Sequence, residues 1–309
     1  MNNTVLSESK LSVYEAVTAQ IVAAIEAGAG VCKMPWHAGI MPMSMPINAT
    51  TEMPYHGINI VALWAQAVAK LYITGYWASY KQWQKLGAQV RSGERGSTII
   101  FYKELGNDIA EQTNADADRP RFVIRSSHVF NAEQVDGWEF PQSPRASQVE
   151  IDEQIDAFVR ATKADIRHGS SIACYRRRDD YIEMPSPEQF TGTLTSSPTE
   201  AYYAVLLHEL VHYSGAPHRL NRECGKRFGD RDYAFEELVA ELGAAFMCSA
   251  FRIVNEPRPD HAAYISNWLD ILDRDHKAIF TAASMAQQAV EYLRTLADRQ
   301  HDTHPPCPF

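Results

Sequence analysis

The stretch SSPTEAYYAVLLHELVHYSGAPH, residues 196–218, predicts one helix with both of its ends marked. Ser197 is a typical N-cap, Pro198 stands at the first helical position, and Glu200 completes an S-x-x-E capping box. Gly215 is a typical helix end. The local signals therefore predict a helix over 198–214.

Within this helix, the residues HELVH have the spacing of a metal site. One helical turn separates His208 from His212, so both imidazoles project from one face and can hold one Zn²⁺. Glu209 projects about 100° around the helix, beside the metal, where it can accept a proton from an activated water molecule. We therefore predict His208 and His212 as metal ligands and Glu209 as the catalytic base. Two imidazoles and one carboxylate favour Zn²⁺ but can also hold Mn²⁺ or another divalent metal.

A catalytic zinc usually takes three protein ligands and a water molecule, and two candidates for the third ligand stay open. HExxHxxGxxH, residues 208–218, has the metzincin spacing and would make His218 a ligand. AFEELVAELGAAF, residues 234–246, instead resembles the thermolysin-like gluzincins. That resemblance implies that Glu237 binds the metal and that Glu241, one turn later, orients a ligating histidine. We favour Glu237, because a carboxylate among apolar residues needs a cation or a hydrogen-bond partner.

The overall composition is that of a soluble globular protein. The 309 residues are 45% hydrophobic and 22% charged. They hold no apolar run of the roughly 20 residues that a membrane-spanning helix needs, so we expect no membrane contact. Five cysteines are scattered without a CxxC pair, and the N-terminus has no basic region before an apolar one. We therefore expect a reduced, cytoplasmic protein.

Aromatic and basic side chains alternate over residues 64–103, although the chain as a whole carries a net charge of −9. Between residues 70 and 103, six lysines and arginines stand against a single acidic residue, Glu94. Single-stranded nucleic acid is held by this combination, with bases stacked on aromatic rings and phosphates paired with cations. The alternative is a small domain with an aromatic core. The candidate DNA contacts are Trp64, Tyr76, Trp77, Tyr80, Lys81, Trp83, Lys85, Arg91, Arg95 and Lys103.

The order of predicted elements indicates an α+β protein with two domains. We expect a small α+β domain over 1–140, a Pro- and Ser-containing linker over 141–148, a mainly helical domain over 149–300 and a frayed tail over 301–309. In the second domain, YIEMP, 181–185, is a candidate edge strand along which an extended peptide could pair.

Longer motifs identify a family resemblance. YHGINIVALW (55–64), WASYKQWQKLGAQVRSGERG (77–96) and VFNAEQVDG (129–137) resemble the N-terminal domain of ArdC-type antirestriction proteins, which certain plasmid-encoded primases share. HELVHYSGAPHRLNR (208–222) and FGDRDYAFEELVAELGAAF (228–246) are similar to their zincin-like metallopeptidase domain. The resemblance implies a domain that binds single-stranded DNA, followed by a gluzincin-type, metalloprotease-like domain. It also implies a plasmid-borne protein that shields incoming conjugative DNA from host restriction.

Three functions follow from this resemblance. The first is an antirestriction protein that binds single-stranded DNA with low sequence specificity, in which any proteolysis is auxiliary. The second is an active zinc-dependent endopeptidase that cleaves a host protein or peptide and uses DNA only for localisation. The third is a primase-associated replication module. The sequence leaves the oligomeric state open.

Overall fold

The computed structural model describes residues 12–29, 33–37, 44–104, 122–139, 141, 148–223, 231–256 and 262–299. Most of the predicted linker and the whole predicted tail lie outside the described residues. The described chain combines helices and strands, as predicted. Among its helices, not one is both long and apolar enough to cross a membrane.

The elements follow one another in a mixed order. The helices are α1 Val13–Ala29, α2 Ile58–Lys70, α3 Tyr80–Lys85, α4 Gln148–Thr162, α5 Pro198–Ser214, α6 Arg231–Phe251, α7 Ala262–Arg274 and α8 Ala278–Asp298. The strands are β1 Ile47–Asn48, β2 Tyr76–Ala78, β3 Gln89–Val90, β4 Ser97–Glu104, β5 Phe122–Asn131, β6 Val135–Asp136, β7 Ile166–His168, β8 Cys174–Arg176 and β9 Tyr181–Met184.

The chain forms two compact units, and the first of them is discontinuous in sequence. It takes in residues 1–46, 55–73 and 140–309, whereas the second consists of residues 47–54 and 74–139. This arrangement differs from the predicted division at 141–148. The physical reason is that α1 and α2 bury their apolar faces in the first unit, where α1 contacts α7 and α2 contacts α8.

In the first unit, α5 and α6 lie against each other at a glycine. A Cβ atom built on Gly243 would lie 2.7 Å from Cγ2 of Val211, which is closer than real side-chain contacts allow. Val211 stands on α5 between the two histidines, and Gly243 follows the predicted carboxylates on α6. Glycine at this position therefore allows the backbones to approach and brings the two sets of predicted ligands together.

Three short strands accompany these helices. They are ordered β7-β9-β8, with β9 parallel to β7 and antiparallel to β8. The prediction that 181–185 forms an edge strand is therefore wrong, because β9 has a neighbour on each side. Both β8 and β9 contact α5, and β8 is an edge strand of this sheet.

The second unit is built on a four-stranded sheet in the order β1-β2-β5-β4. Its longest ladder joins β4 and β5, from the pair Ser97–Val129 to the pair Glu104–Phe122. A separate ladder joins β3 and β6. The core holds Trp83 of α3, whose indole N–H donates to the carbonyl oxygen of Phe130 over 3.0 Å, with residues Ala78, Ala88, Val90, Ala132 and Val135.

Gly243→Ala tests the close approach of α5 and α6. Alanine in a helix interior normally stabilises by about 1 kcal/mol relative to glycine, whereas overpacking costs about 1–3 kcal/mol. We expect a lower free energy of unfolding, measured by urea denaturation. The double variant Gly243→Ala/Val211→Ala should recover part of the loss. A stabilised single variant would contradict the contact.

Candidate metal centre and aromatic–basic surface

The helix α5 carries both predicted histidine ligands, and it begins and ends where its capping residues predict. The Ser197 side chain accepts a hydrogen bond from the backbone N–H of Glu200, and the Glu200 side chain accepts one from the N–H of Ser197. The helix therefore begins in one fixed frame. His208 is buried, His212 is nearly so, and their Nε2 atoms lie 3.1 Å apart.

The third member of the group is Glu237 of α6. Its Oε2 atom lies 3.4 Å from Nε2 of His208, and its Oε1 atom lies 3.5 Å from Nε2 of His212. Among the described residues, these three side chains are the group that could hold a metal ion. Their donor atoms all lie within 4.8 Å of one another. The structure therefore brings together His208, His212 and Glu237.

The outer nitrogens of both imidazoles face carboxylates. Nδ1 of His208 lies 2.9 Å from Oε1 of Glu241, and Nδ1 of His212 lies 3.2 Å from Oε1 of Glu236. A carboxylate favours a protonated nitrogen beside it, so in the neutral form of each ring Nδ1 carries the proton and Nε2 turns a lone pair toward the other ring. Two such lone pairs beside a carboxylate need a cation between them.

Burial and charge act in opposite directions on this group. Burial lowers the pKa of His212, but the negative charges of Glu237 and Glu236 raise it by a larger amount. The net pKa of His212 therefore lies well above its ordinary value. Burial raises the pKa of Glu237, yet His212 and His208 hold it far below its usual range. Protons and metal ions compete for the same donors in such a site.

The separations between the donors fit a divalent metal. Donor atoms about 2.0–2.2 Å from a tetrahedrally coordinated Zn²⁺ lie roughly 3.3–3.6 Å apart. The two Nε2 atoms lie 3.1 Å apart, and each oxygen of Glu237 lies close to one of them, Oε2 at 3.4 Å from His208 and Oε1 at 3.5 Å from His212. The residues present therefore fit such an ion in both chemistry and spacing.

Glu209, the predicted base, is buried next to this group on α5. Its Oε2 atom accepts a hydrogen bond of 2.8 Å from the backbone N–H of Tyr175, on the edge strand β8. This bond fixes the orientation of the carboxylate. No sequence pattern indicated Tyr175, because the strand and the helix meet only in the folded chain.

A buried arginine completes the surroundings of His212. Arg222 donates to both oxygens of Glu236, over 2.8 and 3.1 Å, and to the Val211 carbonyl oxygen. This pairing and His212 hold the pKa of Glu236 low against its burial. Sequence reasoning did not predict that Arg222 and Glu236 pair beside His212. The adjacent carboxylates of Glu236 and Glu237 were the available signal, since neighbours on a helix point in different directions.

His218, the alternative ligand, lies elsewhere. Its side chain is 61% exposed, and its Nε2 atom lies 3.2 Å from Oδ2 of Asp180. Asp180 also pairs with Arg219, whose guanidinium lies 3.3 Å from the ring centre of Tyr213. The chain after Gly215 thus turns His218 toward Asp180, and the structure does not support the metzincin alternative.

The three tryptophans predicted to stack on DNA are core residues. Trp64, Trp77 and Trp83 are 1%, 1% and 0% exposed, so as folded they present no face to a base. Tyr76 is half-buried and packs edge-on against Trp138. The three tryptophan positions are corrected accordingly, because Trp64 packs against Phe246 in the first unit, while Trp77 and Trp83 fill the interior of the second unit.

Other predicted contacts are accessible. Tyr80 and Lys81 at the start of α3 are exposed, as are Lys85 and Arg95. The Arg91 guanidinium is exposed but pairs with Glu94 and Asp136, while Lys103 lies in β4.

One further aromatic–basic pair was not among the predicted contacts. Phe101 of β4 is 45% exposed and lies directly opposite Arg125 of β5, which is also exposed. Cross-strand neighbours share one face of a sheet. We define the aromatic–basic surface as two exposed groups, namely Tyr80, Lys81, Lys85 and Arg95 as one group and Phe101 with Arg125 as the other.

Two sequence families match the chain. Residues 11–130 match the N-terminal domain of anti-restriction factor ArdC, and residues 153–285 match a zincin-like metallopeptidase family. The chain is 44% identical over 290 residues to the uncharacterized protein y4eC of Sinorhizobium fredii (strain NBRC 101917 / NGR234), covering 93% of this chain and 92% of that protein. The chain belongs to the ArdC antirestriction family.

Solved structures agree with this assignment to the family. The metal-free crystal structure of antirestriction ArdC from the R388 plasmid is 37% identical, with a TM-score of 0.74 over 94% of this chain and 99% of that one. The Mn(II)-bound structure of the same protein is 34% identical, with a TM-score of 0.73 over 95% of this chain and 100% of that one. The zincin-like domain of this ArdC-family protein implies a divalent metal.

A primase also shares part of its length with this chain. DNA primase TraC of Escherichia coli is 34% identical over 313 residues, which covers 96% of this chain but only 28% of TraC. The match therefore leaves most of that primase without a counterpart here, and the primase alternative is not favoured.

Glu237→Gln and His218→Ala together test the third ligand. Loss of a ligand should weaken metal binding by more than the 10–100-fold typical of outer residues, so we expect Glu237→Gln to lose more than about 100-fold in Mn²⁺ affinity. His218→Ala should bind Mn²⁺ like the wild type, because its exposed pairing contributes little. Isothermal titration calorimetry measures both. The reverse pattern would restore the metzincin alternative.

Proposed function

We propose that this chain is an antirestriction protein that binds single-stranded DNA with low sequence specificity and protects incoming conjugative plasmid DNA in the cytoplasm. The observation that carries the proposal is its similarity, over nearly the full length of both chains, to the antirestriction protein of the R388 plasmid. Both matched families lie in this one chain, so the proposal extends to the whole protein.

The aromatic–basic surface supports the DNA-binding part of the proposal. Lys81 and Lys85 lie one helical turn apart on α3 and so point to the same side, beside the exposed ring of Tyr80. On β4 and β5, Phe101 offers a ring and Arg125 a cation at one register position. Stacking tolerates any base, and cations bind phosphate regardless of sequence, so such contacts give low sequence specificity.

The metal centre has a proposed set of ligands within this function. His208, His212 and Glu237 would hold Zn²⁺, or Mn²⁺ as in the related ArdC structure, with Glu241 and Glu236 orienting the two imidazoles. A divalent metal bound there supplies a Lewis acid and lowers the pKa of a water molecule toward about 7.

A second candidate function is a metal-dependent endopeptidase, for which Glu209 is the favouring observation. Its carboxylate is buried on the ligand helix and is held by the N–H of Tyr175, so it can receive a proton at a fixed position. A peptide substrate would have to approach β8, the edge strand whose Tyr175 N–H already points at Glu209. A host protein is the substrate class that this alternative requires.

Lys81→Ala/Lys85→Ala and Phe101→Ala test DNA binding. Each lost phosphate contact should reduce the slope of log affinity against log salt by about 0.7 for a single strand. Phe101→Ala should weaken binding by about 1–3 kcal/mol if a base stacks there, at an unchanged salt slope. Fluorescence anisotropy with labelled single-stranded oligonucleotides measures both.

The matched control for these variants is Arg274→Ala. Arg274 is an exposed arginine on α7 that pairs with Asp270, so its removal changes net charge without touching the aromatic–basic surface. It should bind DNA like the wild type. Affinity that does not change with salt, or variants of the surface that bind as tightly as Arg274→Ala, would contradict the proposed DNA contacts.

Glu209→Gln separates the two candidate functions. Glutamine keeps a carbonyl oxygen for the Tyr175 N–H but cannot accept the proton, so we expect a folded protein with wild-type Mn²⁺ affinity and no hydrolysis. Antirestriction is measured as survival of transferred plasmid DNA in a restricting host. If the variant protects DNA like the wild type, the binding function is sufficient; if it loses protection while still binding DNA and metal, the peptidase is the main function.

A further inference from the structure

One buried histidine outside the ligand set faces the metal centre from the N-terminal part of the chain. His37 is 1% exposed, and its neighbours Met34 and Trp36 are 2% and 0% exposed. Gly28, near the end of α1, permits the close approach of Lys33, because a Cβ atom at Gly28 would overlap the carbonyl oxygen of Lys33. The short stretch 33–37 is therefore held inside the first unit.

Both ring nitrogens of His37 have a defined neighbour. Nδ1 accepts a hydrogen bond of 3.0 Å from the backbone N–H of Met34. Nε2 lies 3.7 Å from Oε2 of Glu241, whose other oxygen lies 2.9 Å from Nδ1 of His208. One buried carboxylate thus stands between two imidazoles.

The hydrogen bond from Met34 decides the tautomer of His37. A backbone N–H is always a donor, so Nδ1 must offer its lone pair, and the ring proton of neutral His37 is on Nε2. This N–H group faces Glu241 across 3.7 Å, which is longer than a hydrogen bond, so it acts on the carboxylate as a nearby dipole. Because a buried carboxylate is stabilised by every N–H directed at it, His37 favours the rotamer of Glu241 in which the other oxygen faces His208.

We propose that His37 is a positioning residue of the metal centre: it holds the Glu241 carboxylate, which in turn holds the His208 imidazole with Nε2 directed at the metal. The proposal rests on the ligand set proposed above, and not on DNA binding or proteolysis. It also gives the stretch matched by the ArdC N-terminal family, residues 11–130, a part in a site whose ligands all lie in the zincin-like stretch.

The test compares two substitutions of similar size in the full-length protein, His37→Gln and His37→Leu. The amide nitrogen of glutamine can donate to Glu241 from nearly the same reach, whereas leucine fills the space without a donor. We expect Mn²⁺ affinity, measured by calorimetry, to fall about ten-fold in His37→Leu, the lower end of the range for residues outside the ligand shell. His37→Gln should bind within about two-fold of the wild type, since the donor is retained.

Thr18→Val is the control for general destabilisation. Thr18 is buried in the same unit, and its hydroxyl donates to the His276 carbonyl oxygen over 2.7 Å, with no part in the metal centre. It should lower the melting temperature and leave Mn²⁺ affinity unchanged.

The outcomes separate the two proposals. If the wild type fails to bind Mn²⁺, the ligand set and the role of His37 both fall. If the wild type binds but His37→Gln and His37→Leu share one affinity, whatever its value, only the positioning role is overturned. The same holds if Thr18→Val weakens binding as much as His37→Leu, because the effect would then be one of stability.

Discussion

Two imidazole nitrogens 3.1 Å apart, with a carboxylate beside them, are the constraint on which the helical unit depends. Their lone pairs repel unless a proton or a metal ion stands between them. Everything nearby fixes that geometry: Glu241 and Glu236 hold the outer nitrogens, and Gly243 lets α5 and α6 approach closely. An arrangement of this kind is costly to bury without a cation, and it is well suited to binding one.

The parts of this site that the sequence predicted correctly are those with local signals. The bounds 198–214 follow from Ser197, Pro198 and Gly215, each of which acts within one turn of the helix end, and they match α5. The relation between α5 and α6 is not local, and spacing alone could not choose between Glu237 and His218. The same limit applies to the C-terminal end of α4. The helix ends at Thr162, where Lys163 takes a left-handed conformation and β7 pairs with the distant β9.

Composition was a weaker guide than spacing in the N-terminal part. Tryptophans next to lysines fit a stacking surface and an aromatic core equally well, because both need the same residues. Only packing separates them: Trp83 donates to the Phe130 carbonyl oxygen inside the second unit, whereas Phe101 lies exposed on β4. Net charge misleads in the same way, since a chain of −9 still presents Lys81, Lys85 and Arg125 on its surface.

The number of protein donors bears on whether the metal serves structure or chemistry. Structural zinc sites are typically closed by four protein ligands, whereas catalytic sites have three and keep one position open. Among the described residues, His208, His212 and Glu237 bring three donors together. Glu209, the residue after His208 on α5, adds a buried carboxylate. A purely structural ion would not need Glu209, a buried carboxylate that accepts a hydrogen bond from the Tyr175 N–H. Three donors with a buried carboxylate beside them are the features that the endopeptidase candidate requires, within a family named for antirestriction. Phe101 belongs to the second unit and Glu209 to the first, so substitutions can test the proposed DNA contact and the proposed base independently.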